Sequence, residues 1–446
     1  MPYTEMDNIT SSKLALISER ARKDPKFQFL SLAHLLNEGF LKECYFDLGR
    51  DRASGIDGVS WKEYGERLDE NITDLVGRLK AKRYTPLPSR RTYIPKDEHS
   101  KRALSLPALE DKVVQKGIAR ILEAIYEQDF LDCSYGYRPN RSCHQALNVV
   151  DKTMMQGPIH YVIEADIKGF FDNVSHEWMM RCLQVRIKDT SLLHLIRKFL
   201  KAGFVDADEF FLTTQGTAQG GNLSPVLSNI FLHYVLDLWF EKKIKFKVRG
   251  VCHLARYADD FLCMVQYADD AQHIEQLMRE RFVKFDLELH PEKTRIISLD
   301  REQRCRNNRK DHQSHTFDFL GFTHYWGKSR RGNPTLRRKT SRKKFRRACK
   351  EMNLWLREVR SRAKLKEWWP ILQAKLRGHY QYYGISGNSE AIKRFHHVTK
   401  RLVYKLVNRR SQKASYNWDG FIEYLKHYPL PEPRIVHHLY SLSYGS

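Results

Sequence analysis

Three aspartates sit where they could meet around metal ions. Asp166 ends an apolar stretch, Tyr161-Val-Ile-Glu-Ala-Asp166, that reads as a β-strand. Asp259 and Asp260 lie in Tyr257-Ala-Asp-Asp260, between His253-Leu-Ala255 and Phe261-Leu-Cys-Met-Val265, the layout of a hairpin with carboxylates at its tip. Phosphodiester synthesis uses two divalent ions about 3.5–4 Å apart, one acidifying an attacking 3′-hydroxyl and one steadying the departing pyrophosphate. Magnesium favours carboxylate oxygens, so a protein running that reaction must bring aspartates from separate elements to one point. A solitary Tyr-x-Asp-Asp is more often a surface turn; its pairing with a strand-terminal aspartate favours the metal reading. Glu164, one strand period before Asp166, reads as structural.

Tyr-Ala-Asp-Asp recurs at Tyr267–Asp270, but there Ile274, Leu277, Met278, Phe282 and Phe285 follow at helical spacing. Asp269 or Asp270 is therefore expected to cap a helix N-terminus rather than to do chemistry. Around the acidic residues, short strand-like stretches alternate with helical ones from Arg90 to Val265, with helices expected over Ala108–Ile125 and Asp269–Phe285. The first sixty residues read as helical, with Leu30, Leu32, Leu35, Leu36 and Phe40 on one stripe. Beyond a polar stretch, Arg301–Ser314, the pattern is mainly helical, broken at Gly384–Asn388. The eight cysteines form no Cys-x-x-Cys pair, which argues against a zinc or redox site. Adjacent histidines such as His396-His397 and His437-His438 point to different faces and read as polar or RNA-facing. No apolar run is long enough to span a bilayer and the N-terminus lacks a secretion-signal layout, so a cytoplasmic setting, bacterial cytosol or nucleoid, is expected.

The 446 residues carry 77 Lys+Arg against 53 Asp+Glu, a formal charge of +24, which calls for a polyanionic partner. The excess is concentrated: residues 301–350 hold 17 basic against 3 acidic side chains. Within it Arg337, Arg338, Lys339, Arg342, Lys343, Lys344, Arg346 and Arg347 are interleaved with Phe317, Phe319, Phe322, Tyr325, Trp326 and Phe345. Cations that neutralise phosphates and rings that stack on bases are the two halves of a nucleic-acid groove. Arg409 and Arg410 extend the basic set toward the C-terminus.

Read in order, the segments resemble the reverse transcriptase blocks of group II intron-encoded proteins, from about residue 30 to 440. They are Arg90-Arg-Thr-Tyr-Ile-Pro-Lys96, Arg102-Ala-Leu-Ser-Leu-Pro107 with Asp111 and Gln115, and Ser134-Tyr-Gly-Tyr-Arg-Pro139. Next come Ala165-Asp-Ile-Lys-Gly-Phe-Phe-Asp-Asn173, Gly216-Thr-Ala-Gln-Gly-Gly-Asn-Leu-Ser-Pro225 and Arg256-Tyr-Ala-Asp-Asp-Phe261. His290-Pro-Glu-Lys-Thr294 and Phe319-Leu-Gly-Phe322 close the set. Gly378-His-Tyr-Gln-Tyr-Tyr-Gly384, Asn408-Arg-Arg-Ser-Gln412, Trp418 and Pro429-Leu-Pro-Glu-Pro-Arg434 extend the likeness into the thumb, or maturase, region.

That resemblance implies an α+β right-hand polymerase, with fingers and an antiparallel palm sheet, a mainly helical thumb/maturase domain and a small basic C-terminal domain. The implied division is a helical extension over 1–60, fingers and palm over 61–300, thumb over 301–404 and a DNA-binding segment over 405–446. Asp166, Asp259 and Asp260, with the carbonyl of Ile167, would hold two Mg2+ ions, Mn2+ being able to substitute. Lys96 and Arg102 would grip the incoming triphosphate, Phe171 would exclude a ribose 2′-hydroxyl, Gln219 would contact the nucleotide and Lys293 would protonate pyrophosphate. The small pair Gly220-Gly221 would allow close backbone approach. The partners implied are dNTPs, an RNA-template/DNA-primer duplex, a group II intron RNA and a DNA target; no membrane is implied. Ala218, Asn222, Ala103 and Ser105 depart from the family pattern without removing a catalytic group. The chain ends soon after Arg434, so no zinc-supported nuclease domain is expected. Two other readings stay open: a free-standing domesticated enzyme in repair or defence, and a maturase that acts mainly by binding RNA.

Overall fold

The computed structural model describes residues 4–95, 100–299, 315–329, 331–408 and 416–439, with side chains from residue 12 onward. Lys96, Arg409, Arg410 and the polar stretch from 301 to 314 lie outside the described residues.

Two small sheets and a central one organise the first three quarters of the chain. Strands β1 (Ser89–Pro95) and β2 (Lys101–Leu106) form an antiparallel pair. The central strand β3 (Tyr161–Asp166) follows, then β4 (Phe204–Asp206) and β5 (Glu209–Phe211), which join the first pair in the order β2-β1-β4-β5. The hairpin β6 (Cys252–Tyr257) and β7 (Asp260–Val265), with β8 (Arg295–Ser298), completes the antiparallel palm sheet in the order β6-β7-β3-β8. A third sheet, β9 (Phe317–Phe319), β10 (Phe322–Lys328) and β11 (Pro334–Thr340), follows.

Side-chain alternation splits the palm strands between two cores. Ile163, Ala165, Phe261, Cys263 and Val265 face the helices Leu109–Tyr126, His176–Gln184 and Ser224–Leu232. Val162, Ala255, Leu262, Met264 and Ile297 face the other way, against Phe317, Phe319, Phe322 and the helix Cys143–Gln156. That second helix opens on a reciprocal cap, Ser142 Oγ accepting from Gln145 N (3.2 Å) and Gln145 Oε1 accepting from Ser142 N (2.8 Å). The helix Leu109–Tyr126 is buried nearly all round, as an interior helix must be when its apolar residues are not confined to one stripe. A separate core of Trp368, Leu372, Leu376, Tyr380, Phe395 and Phe421 joins the helices Arg342–Arg362, Leu365–Tyr383, Ser389–Val407 and Trp418–His427. The chain thus has the right-hand polymerase fold, with fingers and palm followed by helices.

Three expectations change. Leu30 is 75% exposed, because residues 25–32 run outside the helices and Phe29 bridges to Ile187 instead. His396 is buried and shares a hydrogen bond with Tyr380 Oη (2.8 Å), so it faces a core and not RNA. The second Tyr-Ala-Asp-Asp does not cap its own helix, Ala268–Val283. Asp270 instead accepts from the backbone N–H groups of Arg249 (3.2 Å) and Gly250 (2.8 Å), a non-local partner that local spacing could not reveal.

Candidate active site

Register brings the acidic residues together. In the β3–β7 ladder Asp166 lies directly across from Asp260, and β6–β7 closes with Tyr257 opposite Asp260, leaving Ala258 and Asp259 as the turn. On the far edge of β3, His290 N–H donates to Asp166 O (2.8 Å) and Lys168 N–H to Glu288 O (2.9 Å). These bonds flank Ile167, so its own carbonyl turns the opposite way, toward the side of the β6–β7 tip. By the same alternation Asp166 and Asp260 form a close, non-hydrogen-bonded pair with side chains on one face of the sheet, and Glu164 shares that face.

The electrostatics of this face are those of crowded like charge. The Asp260 carboxyl is pushed up to about 7 by burial and by the negative charges of Asp259, Glu164 and Asp166, against a hydrogen bond from the Leu320 N–H. Lys293 Nζ reaches Asp166 Oδ2 at 2.6 Å, and Arg295 holds Glu164 at 2.8 Å. Oxygen donors that repel one another suit a hard dication, which would reverse the pressure on Asp260. Among the described residues no three acidic, His or Cys side chains form a ready-made cage. Magnesium keeps several waters and takes substrate phosphates as ligands, so one or two carboxylates per ion fit it.

The turn is held from below by a network that the sequence patterns did not single out. Arg256 is fully buried and forks onto Asp237, also fully buried, through Nε–Oδ1 (2.7 Å) and Nη2–Oδ2 (2.5 Å). Its Nη1 donates to the carbonyl of Ala258 and to Asn229 Oδ1, both at 3.0 Å, and its Nη2 to Ser134 Oγ at 2.7 Å. Ala258 has φ +58, a left-handed conformation that such fixed partners must impose on a residue with a Cβ. Gly136 packs so tightly there that a methyl group would come within 2.4 Å of Ala258 N, while Asn229 Nδ2 donates to the Gly136 carbonyl at 2.7 Å. The signal available in the sequence was a charged pair in apolar surroundings, Asp237 inside Tyr-Val-Leu-Asp-Leu-Trp and Arg256 inside a buried strand.

A cavity of about 390 Å³ is lined by Arg91, Ser105, Gln115, Phe171, Phe204 and Gln219 among others. Phe171 packs edge-on against the buried Phe170 (5.3 Å), and its carbonyl accepts from Thr217 N–H at 2.7 Å, which sets the ring beside the Gly216–Gln219 segment. The Gln219 carbonyl accepts from Ser105 N–H (2.7 Å), and Gly220 has φ +114 with no room for a Cβ against Ser105 O. The close approach expected of Gly220-Gly221 is therefore to the fingers strand β2 and to Gln115 Oε1. Asn222 has its own reason to be polar, since its amide donates to Lys112 O (3.2 Å) and its oxygen accepts from Arg52 (3.1 Å). Arg102 is exposed on β2.

The basic run divides by strand period. Arg337 and Lys339 are exposed on β11, whereas Arg338 between them is fully buried and paired with Asp151. Arg338 is thus a core ion pair and not a nucleic-acid contact, because successive strand residues face opposite ways. Arg342, Lys343, Lys344, Arg346 and Arg347 are exposed at the start of the helix Arg342–Arg362. That start leans over the site: Ser341 N–H donates to Gly321 O (3.0 Å), and Arg347 reaches the fingers at Pro95 O (3.4 Å). Although its side chain reaches solvent, Lys344 is held below the usual lysine range by desolvation among its neighbours and by the cations Arg347, Lys343 and Arg102 around it.

Residues 94–324 match the family model described as reverse transcriptase (RNA-dependent DNA polymerase). Among curated proteins, the chain is 36% identical over 239 residues to group II intron-encoded protein LtrA of Lactococcus lactis subsp. cremoris, covering 53% of this chain and 40% of that one. It is 35% identical over 248 residues to protein YkfC of Escherichia coli (strain K12), covering 52% and 65%. An uncharacterized 91 kDa protein in a cob intron of Schizosaccharomyces pombe is 37% identical over 242 residues, covering 54% and 30%. The chain spans less than two thirds of the length of each of these relatives. Among solved structures, telomerase from Candida albicans aligns with a TM-score of 0.42 at 13% identity, over 82% of this chain and 69% of that one.

Proposed function

Because the chain belongs to the reverse transcriptase (RNA-dependent DNA polymerase) family, we propose that it extends a DNA primer on an RNA template. The observation that carries this reading is the register that sets Asp166 beside Asp260 with Asp259 at the adjoining turn. Two divalent cations held by Asp166, Asp259 and Asp260, with the Ile167 carbonyl, would supply activation of the 3′-hydroxyl and neutralisation of the leaving pyrophosphate.

The chain's own residues do the rest. Lys293, already on Asp166, offers an ammonium proton to the departing pyrophosphate oxygen. Arg102, with Lys96, binds the triphosphate by charge and by a guanidinium fork. Phe171, wedged against Phe170, forms the floor under the sugar and rejects a 2′-hydroxyl, while Gln219 borders the same cavity. Arg337, Lys339 and the first turns of the helix Arg342–Arg362 meet the phosphates of the duplex. The division at residues 60, 300 and 404 belongs to this reading, as does binding of a group II intron RNA and of target DNA, which the names of the relatives make the first partners to try.

Primer extension on an RNA template with Mg2+ and dNTPs tests the proposal. Asp259→Ala should lose at least about 1000-fold in rate, some 4 kcal/mol of transition-state stabilisation. Equal extension by both proteins would refute it.

A further inference from the structure

The repeated Tyr-Ala-Asp-Asp has no part in the catalytic reading, and what it holds points to a second nucleic-acid surface. The segment Lys242-Lys-Ile-Lys-Phe-Lys-Val-Arg249 puts five cations and one phenylalanine within eight residues. It is anchored at both ends. Ile244 is buried, Val248 packs on the main core, and Asp270 binds the backbone of Arg249 and Gly250. Tyr267 lies beneath the Arg249 guanidinium (4.7 Å), so close to Gly250 that no Cβ would fit there. Between these anchors Phe246 stands 83% exposed, more than any other large hydrophobic among the described residues. Lys242, Lys243 and Lys247 are exposed beside it, and Lys245 and Arg249 spend their charge on Glu241 and Asp269.

A rigidly held ring facing solvent among cations is a platform on which a base can stack, and charge selects its partner. Cations around a solvent-facing ring match phosphates around an unpaired base. The loop precedes Cys252, at the end of β6 opposite the Tyr257–Asp260 tip. Six strand residues at about 3.3 Å each put the two ends roughly 20 Å apart along the sheet. A strand bound there is not the primer end being extended.

We propose that the segment Lys242–Arg249, a helix end and the loop that follows it, is a second RNA-binding surface, taking a structured RNA through its phosphates at Lys242, Lys243 and Lys247 and stacking an unpaired base on Phe246. The test compares wild type with Lys242→Glu/Lys243→Glu/Lys247→Glu and, separately, Phe246→Ala. Two probes are used: a long folded RNA carrying loops and bulges, and a short blunt RNA/DNA primer–template. Against the folded RNA, the slope of log affinity on log salt should fall by about 2–3 in the triple variant, close to one per lost phosphate contact. Phe246→Ala should weaken the same RNA by about fivefold or more, as loss of one stacked base does, with no change in slope. Extension of the short primer–template should stay at the wild-type rate in both variants, which also shows that they fold. An unchanged slope would overturn the proposal, as would an equal loss on both probes. Binding of the wild type to phosphatidylserine vesicles that the triple variant loses, with RNA binding intact, would assign the loop to a lipid surface instead.

Discussion

Replacing Asp237 with Asn tests whether the buried Arg256 fork holds the Tyr257–Asp260 turn. Both side chains are fully buried, with two N···O contacts of 2.7 and 2.5 Å between them. Removing one partner of such a pair strands a charge in the interior and costs about 3–5 kcal/mol. That is a large part of the roughly 5–15 kcal/mol that separates a folded domain from its unfolded chain. At about 2–4 °C per kcal/mol for a unit of 150–250 residues, the fingers–palm core should melt some 6–20 °C earlier. The paired change Arg256→Met with Asp237→Leu separates folding from positioning. Replacing both charges by apolar side chains removes the stranded charge, so thermal stability should recover part of the loss, short of wild type by the buried acceptors left without a donor. The Ala258 carbonyl and Asn229 would still lack their donor, leaving the left-handed turn unsupported, so primer extension should remain at least about tenfold down, or 1.4 kcal/mol. Differential scanning calorimetry and extension rates read the two effects. An unshifted melting profile for Asp237→Asn would refute the energetics, and full activity in the paired variant would refute the positioning role.

Three further outcomes are expected. Phe171→Ala should raise incorporation of ribonucleotides relative to deoxynucleotides by about tenfold or more in single-nucleotide extension, and unchanged sugar selection would remove the gate. Burial holds the His233 imidazole down to about 4, opposed by Asp237 and helped by Arg256. Because the unfolded chain binds that proton near pH 6.5 and the folded one does not, stability should be complete above pH 6.5 and fall on acidification from there to pH 4, by at most about 1.4 kcal/mol per pH unit. His233→Phe should flatten that limb in denaturant titrations at graded pH, and an identical limb would place the acid sensitivity elsewhere. Gly220→Ala should lower both stability and extension, because φ +114 and the contact with Ser105 O leave its methyl no place; wild-type behaviour would show that the Gly216–Asn222 loop can shift.

The sequence disclosed most of what local pattern encodes. The strand Tyr161–Asp166 and the hairpin around Asp259 were legible because apolar runs bounded a two-residue turn, and antiparallel register then left Asp166 and Asp260 facing each other. What stayed hidden was set by contacts between distant segments. Asp270 binds Arg249 and Gly250 across twenty positions, so helical spacing pointed to a cap that does not form. Arg338 looked like one more cation in a basic run, but the period-two alternation of β11 turns it inward to Asp151. In sequence Arg256 is only the flank of a motif, because its four partners come from segments as far away as Ser134. Leu30 fitted a helical stripe that the chain leaves before reaching it.

Convergence of Asp166, Asp259 and Asp260 on one pair of divalent ions is open to direct observation. The direct measurement is an anomalous difference map of the protein crystallised with an RNA template, a chain-terminated DNA primer, an incoming dNTP and Mn2+. Two manganese peaks about 3.5–4 Å apart, bracketed by Asp166 and Asp259 and touching the triphosphate, are predicted. A nucleotide bound with no manganese against either aspartate would contradict the account.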